Sequence, residues 1–328
     1  MYDNITLEKG LYNITGKSFT EALSDLDGDE NYVGTELEGL DAFERQLKRF
    51  DIKVSGANSD RVEKFFKTTQ SAVLFPEFVR RCIKAGMDNA SVLPYIVAAN
   101  TYTDGIDYHG ITLTDSDSGS EVVTVNAGSA LPITTVSNDA GTVAISKYGR
   151  QIQTVYEVLR KQRLDLFAVV LKSIGAKISV NINKAAATVL TNGATDTHTA
   201  KDNVIAYSDL ASFWAGMETT NMNAMLASPA MMATILAMDE MSDCTGDENG
   251  VVTTPFGVKL VKCPGLDDDI VIGVDKNSAL EAVYGSDVIV DSDKLISTQI
   301  DNIAFSISVG FAKIFPGAVG VLKVKKTA

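Results

Sequence analysis

The chain offers few side chains with which to do covalent chemistry. Its two histidines, His109 and His198, stand far apart, and neither has a cysteine, a second histidine or a paired carboxylate at metal-ligand spacing. Any Ser-His-Asp relay would have to run through one of them, and both read as surface histidines. Cys82, Cys244 and Cys263 are widely spaced with no C-x-x-C pair, the pattern of reduced thiols rather than of a disulfide framework or a zinc site. Asp25, Asp27, Asp29 and Glu36 fall at positions 1, 3, 5 and 12 of a calcium-loop template, but Glu30 stands where glycine is needed, and no helix is expected before the loop. Asp267, Asp268 and Asp269, and the run Asp239, Glu240, Asp243, Asp247 and Glu248, read as solvated acidic turns. No G-x-S-x-G, H-E-x-x-H, phosphate-loop or dinucleotide glycine pattern is present. The sequence therefore assigns no catalytic, cofactor-binding or metal residue. An enzyme is not expected; a hydrolase is the enzyme alternative, and it lacks a nucleophile–base pair.

The 328 residues carry a net charge of −13, with 45% apolar and 22% charged side chains. This is a globular composition with enough chain for more than one domain. The acidity argues against a protein whose task is to grip nucleic acid. The N-terminus lacks the apolar core of a signal peptide, and no apolar run is long enough to cross a membrane.

Charge is arranged in blocks. Residues 1–43 have net −8, 44–84 net +5, 85–146 net −7, 147–184 net +6 and 185–328 net −9. Residues 85–146 contain no Lys or Arg at all. A single compact enzyme domain has no need of such alternation. A protein whose acidic segment rests on a basic segment, in itself or in another copy, does.

The blocks differ in structural signal as well. Residues 1–35 are polar and rich in Gly and Asp, as in an extended or irregular arm. In residues 36–50, Leu40, Phe43, Leu47 and Phe50 share a helical face, with acids early and Lys48 and Arg49 late. Residues 59–69 read as a second short helix and 76–84 as a third, with Pro76 in its first turn. Short Val/Ile/Thr/Tyr runs at 96–102, 106–113, 121–125 and 133–136 predict an extended β excursion. Residues 154–190 lack proline and predict one long helix ended by Gly193, or two helices broken near Gly175. Its apolar face is read as Val155, Leu159, Leu166, Val170 and Ile174, with Ile178, Ile182 and Val189 continuing nearby. His198 falls in a Thr-rich turn beyond it. After residue 200 the pattern is mixed. Helices are expected at 208–220 and from Ser228-Pro229 to about 241, and strands at 258–263, 270–274, 279–284 and 288–290. Ile303, Phe305, Ile307, Val309 and Phe311 alternate strictly with small residues, the signature of a strand with one buried face. Pro316-Gly317 is read as the turn of a terminal hairpin that returns over 319–325.

This order of segments resembles the major capsid protein of tailed bacteriophages. The stretches GVKLVKCPGL, IVIGVDKNSALEAVYGSDVIVDSDKLI and IAFSISVGFAKIFPGAVGVLKV resemble that family's apical strands and the strands that return from them. KYGRQIQTVYEVLRKQRLDLFAVVLKSIGAKISVNINKAAATVLTNG resembles its spine-helix region.

The resemblance implies an α+β fold with an N-terminal arm (1–60), an extended β-hairpin loop (92–146), a long spine helix, a peripheral domain and an apical domain (204–290). The peripheral domain is assembled from 61–91, 147–203 and 291–328. It implies pentamers and hexamers of one chain forming an icosahedral head shell around double-stranded DNA, built in the bacterial cytoplasm and ending in the virion. An encapsulin-like compartment for enzyme cargo is the alternative. Candidate contacts between copies are Asp104, Asp107, Asp115, Asp117 and Glu121 of the acidic loop against Arg150, Arg160, Lys161 and Arg163 of the basic region. The loop has no lysine with which to form the isopeptide crosslink of some family members. Noncovalent contacts or a separate cement protein are expected, with a portal and a separate scaffolding protein rather than a cleaved propeptide. The packaged DNA is expected to be held without sequence recognition, since an acidic wall does not adhere to it.

Overall fold

A computed structural model describes residues 2–14, 16–105, 107–115, 127–128, 133–194, 196–201, 204–217, 220–247, 250–295 and 299–324. The chain forms two compact units. One comprises Met1–Ala90, Gly149–Ile178 and Val288–Ser306, the other Ser91–Tyr148, Ser179–Asp287 and Ile307–Ala328.

The first unit begins with three helices, α1 (Phe19–Leu26), α2 (Ala42–Arg49) and α3 (Thr69–Ala90). The irregular arm expected over 1–35 is corrected by α1. Ser18 accepts from the Glu21 amide at 3.3 Å, and Glu21 Oε2 accepts from the Ser18 amide at 2.7 Å, a reciprocal cap that the Gly/Asp-rich surroundings hide. Asp41 and Glu44 repeat the arrangement on α2, at 2.8 and 3.1 Å. The helix expected at 59–69 is instead a 3-10 turn (Val62–Phe66), followed directly by α3.

Pro76 lies inside α3, not in its first turn. A proline there removes a helical hydrogen bond and opens the adjoining turn, at a cost of about 3 kcal/mol. The Tyr12 hydroxyl occupies the opening. It donates to the Val73 carbonyl at 2.7 Å and accepts from the Glu77 amide at 3.1 Å. Burial, with the Glu77 carboxylate beside it, pushes the Tyr12 pKa up and keeps the phenol protonated.

Buried ions tie the N-terminal segment down. Glu77 is fully buried and accepts from Arg80 at 2.7 Å, Arg81 at 2.9 Å and Thr20 of α1 at 2.8 Å. Arg81 on α3 also donates to Asp41, the cap of α2, at 2.6 Å and to Thr20 of α1 at 3.0 Å, so one guanidinium joins three helices.

Next come α4 (Tyr156–Lys161) and α5 (Leu164–Thr191). The break between them falls at Gln162 and Arg163, not at Gly175. Here Val62 donates to the Gln162 carbonyl at 3.0 Å and Leu164 donates to the Asp60 carbonyl at 2.8 Å, diverting the backbone from helix into a bridge. Gly175 is instead a point of close approach between α3 and α5. A Cβ there would overlap the Ile83 carbonyl oxygen, and a Cβ on Gly86 would stand 2.6 Å from Lys172 Cα. Glycine thus serves backbone contact here rather than a helix break. The apolar face is corrected in part. Leu159, Ile178 and Ile182 are buried as expected and are joined by Leu164, Phe167 and Leu171, whereas Val155, Leu166 and Val170 are exposed. The helix stops as expected, with Gly193 at a φ of +63°.

The described residues form the strands β1 (Val97–Tyr102), β2 (His109–Asp115), β3 (Thr134–Thr142), β4 (Ser146–Val155), β5 (Asp196–Thr199), β6 (Ala224–Ala227), β7 (Val252–Thr253), β8 (Lys259–Lys262), β9 (Ile270–Val274), β10 (Leu280–Leu295), β11 (Ile300–Lys313) and β12 (Val319–Lys323). A four-stranded sheet has the order β1-β10-β11-β4, and a six-stranded sheet the order β5-β12-β9-β6-β8-β7. Strands β2 and β3 form a separate antiparallel pair, in which Leu113 lies opposite Val136. The run expected at 121–125 lies outside the described residues.

Three strand expectations change. The strands expected at 279–284 and 288–290 are one, β10. His198 is on β5 rather than in a turn. The terminal hairpin does not form: after the turn Pro316–Ala318 the chain leaves β11's sheet, and β12 enters the other, antiparallel to β9 and parallel to β5. A turn sequence specifies a change of direction but not the partner. Strand β11 keeps its predicted alternation, with Ile303, Phe305, Ile307, Val309 and Phe311 all buried.

The second unit's core lies against the six-stranded sheet. Helices α6 (Tyr207–Ala215) and α7 (Pro229–Leu236) contribute Leu210, Phe213, Met231, Met232 and Ile235, which pack with Met225, Leu260, Val271 and Leu322. Helix α6 is shorter than the expected 208–220. Helix α7 starts at the Ser228 cap as expected, and stops at Leu236.

Candidate functional site

The side chains with chemical potential are placed where they do structural work. Asp27 and Asp29 of the calcium template are drawn to Arg45, at 2.7 and 2.8 Å. Arg45 and Asp27 are both buried, Tyr32 also donates to Asp27, and the guanidinium lies 4.4 Å over the Tyr32 ring. The expectation that no helix precedes this template is overturned by α1, but an arginine already fills the cation's place. Cys82 and Cys263 are buried, and burial pushes each thiol up to about 11, so neither is a thiolate at neutral pH. His109 Nδ1 lies 3.0 Å from the Asp139 carbonyl across β2 and β3. His198 is only half-exposed and meets Phe213 edge-on at 5.5 Å. Among the described residues, no three His, Cys, Asp or Glu side chains are grouped to hold a metal, and no helix is long and apolar enough to cross a membrane.

The charged residues singled out from the sequence fall into two sets. Asp104 and Asp107 are exposed between β1 and β2, and Asp115 ends β2. Asp117 and Glu121 lie outside the described residues. This acidic set belongs to the second unit, and the cations belong to the first. Arg150 on β4 and Lys161 at the end of α4 are exposed. Arg160 is half-buried, with its guanidinium 5.5 Å from the Tyr156 ring centre and 5.9 Å from that of Phe66. Its Nε is buried without a hydrogen-bond partner. Arg163 is exposed yet engaged within its own chain, bonding Asp165 at 2.7 Å, the Ala57 carbonyl at 3.2 Å and the Gly56 carbonyl at 3.3 Å. Arg150 and Lys161 are thus the cations left for an outside partner.

Exposed apolar residues accompany both charged sets. On α5, Leu166, Val169 and Val170 are 58%, 62% and 48% exposed. They follow i, i+3, i+4 spacing, one stripe of a helix surface. Val155 at the end of β4 and Val158 on α4 are exposed as well. On the β2–β3 pair, Ile111 and Val136 occupy one face, and Ile133 precedes β3; all three are more than half exposed. An apolar strip rimmed by one sign of charge is the usual composition of a protein-binding surface. A helix rimmed by Lys161 and Lys172 and a ribbon in a block without cations are complementary in both respects.

The comparisons with known proteins agree with one another. A family model described as phage capsid protein matches residues 139–324. The solved structure titled Microbacterium phage Oxtober96 is similar with a TM-score of 0.53 at 13% identity, covering 71% of this chain and 91% of that one. The capsid of an empty GTA particle has a TM-score of 0.53 at 14% identity over 73% of this chain and 90% of that one. Mycobacterium phage Adephagia has 0.51 at 12% identity, with coverages of 73% and 91%. No curated protein matches by sequence.

Proposed function

Since the chain belongs to the phage capsid protein family, and is therefore a shell-forming structural protein of the virion with an α+β capsid fold, we propose that it assembles as pentamers and hexamers into an icosahedral head around double-stranded DNA. The observation that carries this reading is the complementarity between the acidic, apolar β2–β3 ribbon and the basic, apolar surface of α4 and α5. The two surfaces differ from each other, so each copy offers one to a neighbour and receives the other. Such heterologous contacts close into rings where the rotation from copy to copy closes. The ribbon of one copy seats Ile111 and Val136 on Leu166, Val169 and Val170 of the next, with Arg150 and Lys161 facing the acids of the loop.

The division of labour follows that reading: arm 1–60, loop 92–146, apical domain 204–290, and a peripheral domain from 61–91, 147–203 and 291–328. With no lysine in residues 85–146, the loop holds its neighbour noncovalently, with a cement protein as the reinforcement. A separate scaffolding protein guides assembly in the host cytoplasm, and a portal admits the DNA. The acidic chain gives the genome a wall to which it does not adhere. The matching family is a phage one, which does not favour the encapsulin-like alternative.

Nuclease treatment of purified particles tests the reading. Duplex DNA protected inside closed shells is expected. Shells holding a protein cargo and no DNA would overturn it.

A further inference from the structure

Within the second unit, the limb that runs from β1 into the β2–β3 ribbon is held at two points by one buried carboxylate. Glu281 on β10 is 7% exposed. Thr101, at the end of β1, and Tyr108, at the start of the ribbon, both donate to its Oε1. The outgoing chain is further held where Tyr102 stacks on Tyr284 at 5.3 Å and where the Thr103 amide donates to the Tyr284 carbonyl at 3.0 Å. The returning limb joins this limb through Tyr108, whose carbonyl accepts from the Val143 amide at 2.8 Å. Two hydroxyls, and no cation among the described residues, hold Glu281.

A buried carboxylate without a cation is costly, and an apolar side chain of similar size would fill the place more cheaply. What the carboxylate supplies is direction, because two hydrogen bonds to one oxygen fix where Thr101 and Tyr108 stand, whereas apolar packing tolerates rotation. We propose that Glu281 is a positioning residue for assembly: it sets the direction in which the β2–β3 ribbon leaves β1, and so the place where the ribbon meets the next copy. The second half of this inference rests on the assembly reading above. The first half does not.

Hydrogen–deuterium exchange of the soluble subunit, read at residues 103–115 and 134–146, tests the first half alone. Tyr108→Phe, and Thr101→Val with Tyr108→Phe, are expected to speed exchange there about tenfold, with the six-stranded sheet unchanged. Glu281→Gln, which keeps an oxygen acceptor, should stay near the parent, and Glu281→Leu should behave like the double variant. Unchanged exchange in the double variant, or a parent-like Glu281→Leu, would overturn the proposal. Particle size distributions test the second half. Misdirected ribbons are expected to give shells of mixed diameter, with Glu281→Gln restoring uniformity. A loosened root that still gives uniform shells would overturn it. A parent protein that forms no shells would instead overturn the assembly reading and leave the exchange result to decide the role of Glu281.

Discussion

The Tyr12 hydroxyl stands between the Val73 carbonyl and the Glu77 amide, inserted into the turn of α3 that Pro76 opens. A proline inside a helix and a tyrosine far earlier in the chain therefore form a single device, which both repairs the helix and anchors the N-terminal segment. Tyr12→Phe would leave two backbone groups unmade and is expected to lower stability by about 1–3 kcal/mol. In Pro76→Ala the helix can close on itself, so the same Tyr12→Phe change should cost much less. Urea denaturation of the two single variants and the double variant gives the coupling directly. Additive effects would show that the insertion is incidental.

The crossing of α3 and α5 has no room for a methyl group at either glycine. Alanine is ordinarily the better helix former by about 1 kcal/mol, yet Gly175→Ala and Gly86→Ala are each expected to destabilise by about 2 kcal/mol or more, because the obstacle is backbone and cannot rotate away. Gly10, which has nothing near its Cβ position, is the control, and Gly10→Ala should be close to neutral in thermal unfolding.

Stability should fall in acid through identifiable groups. The Ser18 amide and hydroxyl hold the Glu21 carboxyl below its ordinary value of 4.5. Burial pushes Asp60 up, but the Lys53 amide and the Lys64 ammonium outweigh it and hold Asp60 below 3.8. A carboxylate whose pKa is lower in the folded chain contributes its stability above the unfolded value and loses it as pH falls through the folded one. The urea midpoint is therefore expected to drop between about pH 5 and about pH 3. Ser18→Ala and Lys64→Met should flatten that drop, and an unaltered pH dependence in both would contradict the assignment.

The proposed contact surface separates folding from assembly. Leu166→Asp and Val169→Asp alter exposed positions and should leave thermal stability within about 0.5 kcal/mol while reducing the yield of particles. Arg150→Glu and Lys161→Glu should do the same, with a stronger effect at low salt, where charge is least screened. Arg163→Gln should instead loosen its own chain near Gly56 and Ala57, because those bonds are intramolecular.

Much of this arrangement is legible in the amino-acid order where the determinants are local. The alternation from Ile303 to Phe311 and the stop at Gly193 need only neighbours to be understood. The capping residues Ser18 and Glu21 are equally local, but an acidic, Gly-rich setting conceals them. The buried face of α5 is not legible, because Leu164, Leu166, Phe167, Val169, Val170 and Leu171 crowd most of the helix circumference, and only contact with α3 selects among them. The placement of β12 beside β9 and β5 is likewise a long-range choice that a Pro-Gly turn does not encode. Charge blocks point to the acidic ribbon and the basic helix. They do not reveal that Arg163 is engaged by its own chain, or that exposed valines and isoleucines lie beside the charges.

Electron microscopy of the purified protein measures the central claim most directly. Closed shells built of five-fold and six-fold capsomers are expected, with the β2–β3 ribbon of each copy crossing α5 of the next. A stable solitary monomer, its ribbon packed on its own α5 at every concentration, would contradict it.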